Sequence, residues 1–441
     1  MRSPRSAAAW LLEKEWRELL ASRAWWMFLV LIGPLVGISF IDAVRTYAEA
    51  SGLNGTTAGV GEAFSPLIGI WAPTFSACEI AAAFLLPFVA IRLVAGDKQS
   101  GALKLETQHR MSSFQRVLAK AAVLMAGWMI ASAAPLIAVA LWTWYGGSLH
   151  PPEIASVLGG HLLNAALVVA LAAAAACVTE HPSTAAIVTL AVTVGTWILN
   201  FAAAVHGGLW EVAAGYTPTA MVADFQHGLV RLDVLLMATT FIVALLTVAA
   251  AWMRPGVPVR RRVRDTIAAA AVASVAVLVC TVPRASWDLS EDRANSFSRS
   301  DEQALRQIDA PLRIEARLAP EDPRRFDLEH RALSKLRRVL PDVDVEYVSA
   351  TSIGLFEQSN PHYGEITFQL DGRSAVSRAT TAEGVLDTIY ELAHVAPPAI
   401  ADGEIFRGHP LAAPPTGAAL IFYGVWPAAV VGAALIWRKQ A

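Results

Sequence analysis

Charge and cysteine are both scarce in this chain of 441 residues. Charged residues make up only 16%, against roughly 25% in an average soluble domain. Three cysteines, Cys78, Cys177 and Cys280, all fall in apolar segments, so neither a disulfide framework nor a Cys-based zinc site is available. The signatures H-E-x-x-H and G-x-S-x-G are missing. Gly96-x4-Gly101 begins like a P-loop, but Ala102-Leu103 stand where Lys and Ser/Thr would hold phosphate and Mg²⁺. No metal or other cofactor is expected, and no ATPase site of the chain's own. Apolar residues reach 55% and mean hydropathy is +0.46. That balance excludes a soluble globular enzyme, a disordered chain and a nucleic-acid partner, and leaves a multi-pass membrane protein.

Eight apolar runs are long enough to cross a bilayer core of about 30 Å. They cover 24–44, 66–94, 118–145, 159–179, 184–205, 233–253, 266–283 and 416–436. Pro66, Pro73 and Pro87 predict a kinked or broken second span, and the alanines from Ala170 to Ala176 predict tight packing in the fourth. Met1 to Arg23 does not read as a signal peptide, because its short apolar run meets Glu13-Lys14-Glu15 at once. As a helix it places Ala8, Leu12, Trp16 and Leu19 in one stripe. This fits either a helix lying in the membrane interface or a frayed cytoplasmic one.

With the N-terminus inside, eighteen Lys and Arg residues fall on the cytoplasmic face and only Arg45 and Arg231 on the short outside loops. The positive-inside bias puts both termini in the cytoplasm. Trp25, Trp26, Trp142, Trp144, Trp252 and Trp437 near span ends are expected to form interfacial belts. Residues 284–415 carry 15 Lys+Arg against 22 Asp+Glu, a net of −7, while the remainder is net +5. This acidic stretch is expected outside the membrane as an inserted α/β domain. Strands are predicted at Pro311–Leu318 and Val343–Tyr347, helices at 323–340 and 381–393, and a hairpin around Asp371-Gly372.

Between the second and third spans lies Gly96-Asp97-Lys98-Gln99-Ser100-Gly101-Ala102-Leu103-Lys104-Leu105-Glu106. Ser112 and Gln115 follow as a capping box that starts the next helix. Such a charged turn is either a docking knob or an ordinary solvated loop. Glu79 is a carboxylate well inside the second span, so it marks either a transport path or a structural hydrogen bond. Gly33 and Gly37 form a G-x-x-x-G that suits a partner helix or internal packing. Leu209 to Ala214 suggests a short interfacial helix on the outside.

The Asp97…Ser100-Gly101-Ala102-Leu103 stretch, the Arg110-Met111-Ser112-Ser113 turn and Ala119-Lys120 resemble the cytoplasmic loop of type-2, exporter-like ABC transporter permeases. Tyr216-Thr217-Pro218-Thr219 with Phe225-Gln226-His227-Gly228 is similar to another stretch of that family. The resemblance covers about residues 10–254. Trp287 to Arg293, Asn295 to Ser298 and Ile308 to Ile314 resemble the extracytoplasmic domain of gliding-motility-type auxiliary ABC subunits.

Together these imply an all-α polytopic protein with an extracytoplasmic α/β insertion. The segments would be an interfacial helix (1–23), a six-helix permease core (24–254), a basic linker with a seventh span (255–283), the inserted domain (284–415) and an eighth span with its tail (416–441). They further imply a bacterial inner-membrane permease and a separate ATP-binding subunit gripping Gly96, Asp97, Lys98, Gly101, Leu103 and Glu106. The other expected partners are a second copy or sister permease, the lipid bilayer and a periplasmic partner. An ion-coupled secondary transporter using Glu79, and a membrane-anchored periplasmic sensor or scaffold, are the competing expectations.

Overall fold

Hydrocarbon offers backbone N–H and C=O groups no partner, so long apolar runs satisfy them internally by coiling into helices. The computed structural model describes residues 7–53, 64–101, 111–206, 209–283, 285–308, 310–319, 322–348, 361–398 and 406–440. Among these, eight helical segments are long and apolar enough to cross a membrane. They are Arg23–Ser51, Leu67–Lys98, Ser113–Trp144, Pro151–Val178, Pro182–Ala203, Leu232–Trp252, Val259–Cys280 and Ala418–Gln440. Each expected span coincides with one of them. The chain is a mostly helical, polytopic membrane protein.

Helix α1 (Ala7–Ala21) leads into α2 (Arg23–Leu53), the first span. The second span breaks at its prolines, as expected. A π-turn at Leu67–Trp71 is followed by α3 (Ala72–Phe84) and α4 (Leu86–Ser100), whose first turns hold Pro73 and Pro87. Proline is tolerated there because first-turn N–H groups have no intrahelical acceptor. Span three is α5 (Ser113–Ala131) with α6 (Ala133–Trp144), span four α7 (Pro151–Val178) and span five α8 (Pro182–His206). The predicted capping box forms: Ser112 accepts from the Gln115 N–H at 3.2 Å, and the Gln115 side chain accepts from the Ser112 N–H at 3.0 Å.

Short helices α9 (Leu209–Ala214) and α10 (Pro218–Gln226) precede spans six and seven, α11 (Leu232–Trp252) and α12 (Val259–Cys280). Then come α13 (Arg299–Leu305), α14 (Pro323–Leu328), α15 (Ser334–Val339) and α16 (Ala382–Ala393). Span eight ends in α17 (Trp426–Gln440). Successive spans alternate in direction, so the bundle has one end that carries α1 and an opposite end that carries the sheets.

Strand β1 (Leu229–Arg231) pairs antiparallel with β2 (Ser286–Asp288), clipping the start of span six to the residues that follow span seven. A second sheet contains β3 (Leu312–Ala316), β4 (Val343–Tyr347), β5 (Ile366–Leu370) and β6 (Arg373–Ser377), in the order β4-β3-β5-β6. The β3–β4 pair is parallel, which demands a crossover; α14, a π-turn at Glu329–Leu333 and α15 provide it. Ile314, Phe368, Leu333, Leu336 and Ile389 are fully buried between sheet and helices. Asp371 (φ 48°) and Gly372 (φ 75°) make the tight β5–β6 turn, in the two left-handed conformations that a type I′ hairpin requires.

One expectation needs correcting. Trp25 and Trp142 do not stand in interfacial belts: both are 1% exposed, packed inside the bundle beside Phe28 and Trp71 respectively. Position near a span end cannot distinguish a ring turned inward from one turned to lipid. On α1 the inward face is Leu11, Glu15 and Leu19. Of the expected stripe, Leu19 is buried and Trp16 packs against the bundle, while Leu12 stays 41% exposed.

Gly33 and Gly37 serve internal packing. A Cβ on Gly33 would strike the Trp426 ring, and one on Gly37 the Phe422 side chain. The eighth span thus lies against the first, and the Trp426 indole donates to the Leu29 carbonyl at 2.7 Å.

Candidate functional site

Among the described residues, three of the polar constellations that interrupt the apolar bundle bear on function. The first lies at the end that carries α1. Glu15 (0% exposed), Asp97 (3%) and Lys120 (1%) come from α1, α4 and α5 and meet in the interior. Lys120 donates to Glu15 at 2.7 Å and also to Asp97, while Lys14 bridges both Asp97 oxygens at 3.0 and 3.1 Å. Lys14 further contacts Glu15 and Glu18, each at 3.2 Å. Burial pushes the Glu15 carboxyl above its ordinary value, and the Lys120 and Lys14 charges pull it back. The carboxylates of Glu15, Glu18 and Asp97 crowd together as a cation site would. Two ammonium groups already occupy that role, so the cluster is an ion-pair network.

Lys98, the next residue on α4, reaches the other way. Its ammonium donates to the carbonyls of Ala176, Cys177 and Thr179, at 3.0, 2.7 and 3.0 Å. These are the acceptors left open at the C-terminal end of α7, and a cation there also meets the helix dipole favourably. Asp97 and Lys98 therefore tie the ends of α1 and spans two, three and four into one block. Gly96 is exposed, and a Cβ there would touch nothing within 4 Å. Gly101 ends α4 in a left-handed conformation, φ 77°. Leu103 and Glu106 lie outside the described residues. Beside the block opens a cleft of about 630 Å³ between α1, α4 and the start of α8, lined by Glu18, Ser22, Arg92, Gly96, Asp97 and Ser183.

The second constellation is centred on Glu79 of α3. It faces a cavity of about 260 Å³ between spans two, four, five and six, walled by Asn164, Thr193, Trp197, Tyr216, Thr219 and Phe241 among others. The Trp197 indole donates to Glu79 Oε1 at 3.3 Å. Tyr216 is 41% exposed, at the end of the cavity nearest the sheets.

The third constellation joins the bundle to the sheet region. Glu153, 1% exposed at the start of α7, accepts the Glu291 backbone N–H at 2.7 Å. The Glu291 carboxylate meets His409 Nε2 at 3.0 Å. The Tyr47 hydroxyl stands 2.6 Å from both the Phe64 and His409 carbonyls. Asp288 holds the turn after β2 by accepting from the Ser290 N–H (3.1 Å) and the Asn295 N–H (3.0 Å). Gly228 (φ 79°) passes so close to the Ser290 backbone that a side chain there would be both strained and crowded.

Sequence reasoning placed Asp97 and Lys98 on an outward turn, whereas both side chains reach inward. It missed Glu15 and Glu153, and took Lys120 as a topology charge and part of the loop resemblance rather than as a buried ion-pair partner. The available signals were Glu15 spaced four residues from both Leu11 and Leu19, and a lysine set inside the apolar start of span three. No protein-family profile and no curated protein matches this chain.

Proposed function

We propose that the chain is the membrane-spanning permease subunit of an ABC transporter, powered by a separate ATP-binding subunit. The observation that carries this is the cleft beside Gly96, opening onto a block in which buried ion pairs tie α1 to the ends of spans two and three, and the Lys98 hydrogen bonds add the end of span four. A push on such a block moves several helices as one body, which is what coupling to an external motor demands. The loop resemblance at Asp97–Leu103 falls at this same place. The bias of Lys and Arg toward that end supports a cytoplasmic location for it and for both termini, in a bacterial inner membrane. The sheet region would then be an extracytoplasmic α/β domain, resting on the spans through Glu153, Glu291 and His409 and available to dock a partner or substrate. A second copy or sister permease completes the pathway.

The test is affinity purification of the full chain from its native membrane with identification of what is retained. Wild type is expected to bring down a subunit containing Walker motifs. Gly96→Arg fills the cleft from a position with no internal neighbour, and is expected to lose that subunit while keeping wild-type thermal stability. Retention by both proteins would overturn the assignment. Glu79 in its cavity favours a second reading, an ion-coupled secondary transporter. Transport that survives ATP depletion but collapses with the proton gradient would select it.

A further inference from the structure

We propose that the cavity around Glu79 binds a small organic cation, an amine or quaternary ammonium with an apolar body. The lining contains one carboxylate and, among the described residues, no lysine, arginine or histidine. Its hydrogen-bond donors to Glu79 are neutral: the Trp197 indole at 3.3 Å, with the Thr219 hydroxyl beside it. An anionic ligand would meet a like charge with no counter-charge in the walls. Bare Ca²⁺ or Mg²⁺ needs about six or more oxygen ligands and Zn²⁺ needs His or Cys donors, and a lining with a single carboxylate provides neither. A neutral apolar ligand would leave a carboxylate facing hydrocarbon, which is costly.

The walls supply what an organic cation needs besides charge. Trp197, Tyr216 and Phe241 offer aromatic surface to a diffuse positive charge, and Phe84 holds the Trp197 ring edge-on, with centroids 5.5 Å apart. Leu167, Val168 and Leu171 form the apolar remainder. The volume of about 260 Å³ lies just under the ~300–1,000 Å³ of drug-sized pockets, so the ligand is small. This claim goes beyond the ATP-driven reading and needs no ATPase partner; if that reading holds, the bound cation names its cargo class.

The experiment uses the full chain alone in phosphatidylcholine nanodiscs, with benzyltrimethylammonium as the probe in equilibrium dialysis. Competitors are choline and 3,3-dimethylbutan-1-ol, which replaces the choline nitrogen by carbon and removes only the charge. Saturable binding is expected, with choline displacing the probe at least about ten-fold better than its neutral isostere, a difference of about 1.4 kcal/mol, since only the quaternary ammonium, which has no N–H to donate, carries a charge to attract the carboxylate and the aromatic faces. Glu79→Gln keeps the size and the Trp197 bond but is expected to weaken probe binding by at least about the same factor. Leu171→Trp fills the cavity from another wall with Glu79 in place, and is expected to abolish binding, so the claim survives a variant that fails to fold. Absence of saturable binding to wild type, equal competition by the isostere, or unchanged binding by Glu79→Gln would each show a purely structural carboxylate. Because no ATPase is present, such a failure leaves the ATPase-partner assignment standing, and the loss of that assignment leaves this one.

Discussion

Replacing Lys120 by methionine should be far more damaging than replacing Lys14, although both lysines touch the same carboxylates. Lys120 is 1% exposed and lies between Glu15 and Asp97, themselves 0% and 3% exposed. Removing its ammonium leaves two buried negative charges facing Lys14. Breaking a buried pair from one side costs about 3–5 kcal/mol, and Lys14 alone cannot balance two carboxylates that water does not reach. The Lys14 side chain is 18% exposed, and its loss leaves Lys120 in place, so about 1 kcal/mol is expected there. Lys120→Met/Asp97→Asn restores the balance, with Lys14 opposite Glu15. The double variant should recover about half the loss or more, a coupling of about 2 kcal/mol. Unfolding of the full chain in mixed micelles with rising SDS, followed by tryptophan fluorescence, reads each difference. A cost below about 1 kcal/mol for Lys120→Met, or a double variant no milder than the single one, would refute the account.

Gly37→Leu should lift the eighth span off the first; a cysteine pair placed across the two spans is expected to cross-link readily with Gly37 and poorly with the leucine. Lys98→Met opens three carbonyls at the end of α7, and should cost about 1–3 kcal/mol in the same SDS titration. Asp322 caps α14 and holds Arg324 and Tyr363 at 2.8 Å each. Burial lifts its carboxyl, but the Arg324 and Tyr363 hydrogen bonds outweigh that and hold it below the usual carboxylate range. Its stabilisation is therefore complete above the ordinary value of about 3.9 and is lost as pH falls through the lowered one. Asp322→Ala should cost the sheet region about 1–2 kcal/mol near neutrality and progressively less in acid, measured by hydrogen exchange of the β3 and β5 amides.

Local signals carried much of the fold. Hydropathy located the spans, the Ser112–Gln115 spacing located the start of span three, and Asp371-Gly372 located the hairpin, because each depends on residues within a few positions of one another. The candidate site depends on distant partners. Lys120 and Glu15 are 105 positions apart, and the two halves of that pair carry no periodic mark linking them. Trp25 and Trp142 looked interfacial for a related reason: Gly127, against the Trp25 ring, and Tyr47 and Trp71, against Trp142, belong to other spans. Glu79 was visible because a carboxylate inside hydrocarbon is conspicuous alone, yet the rings around it come from separate helices and only assembly brings them together.

The seam between the first and last spans bears on how the protein is made. Until translation has delivered Phe422 and Trp426, the notches at Gly33 and Gly37 have only acyl chains to fill them. The first span must wait in the bilayer for span eight before the two can pack, since 397 positions separate Leu29 from Trp426. A ribosome stalled after span seven would therefore leave behind an assembly with its first helix unclasped, an open flank on which membrane quality-control proteases could act.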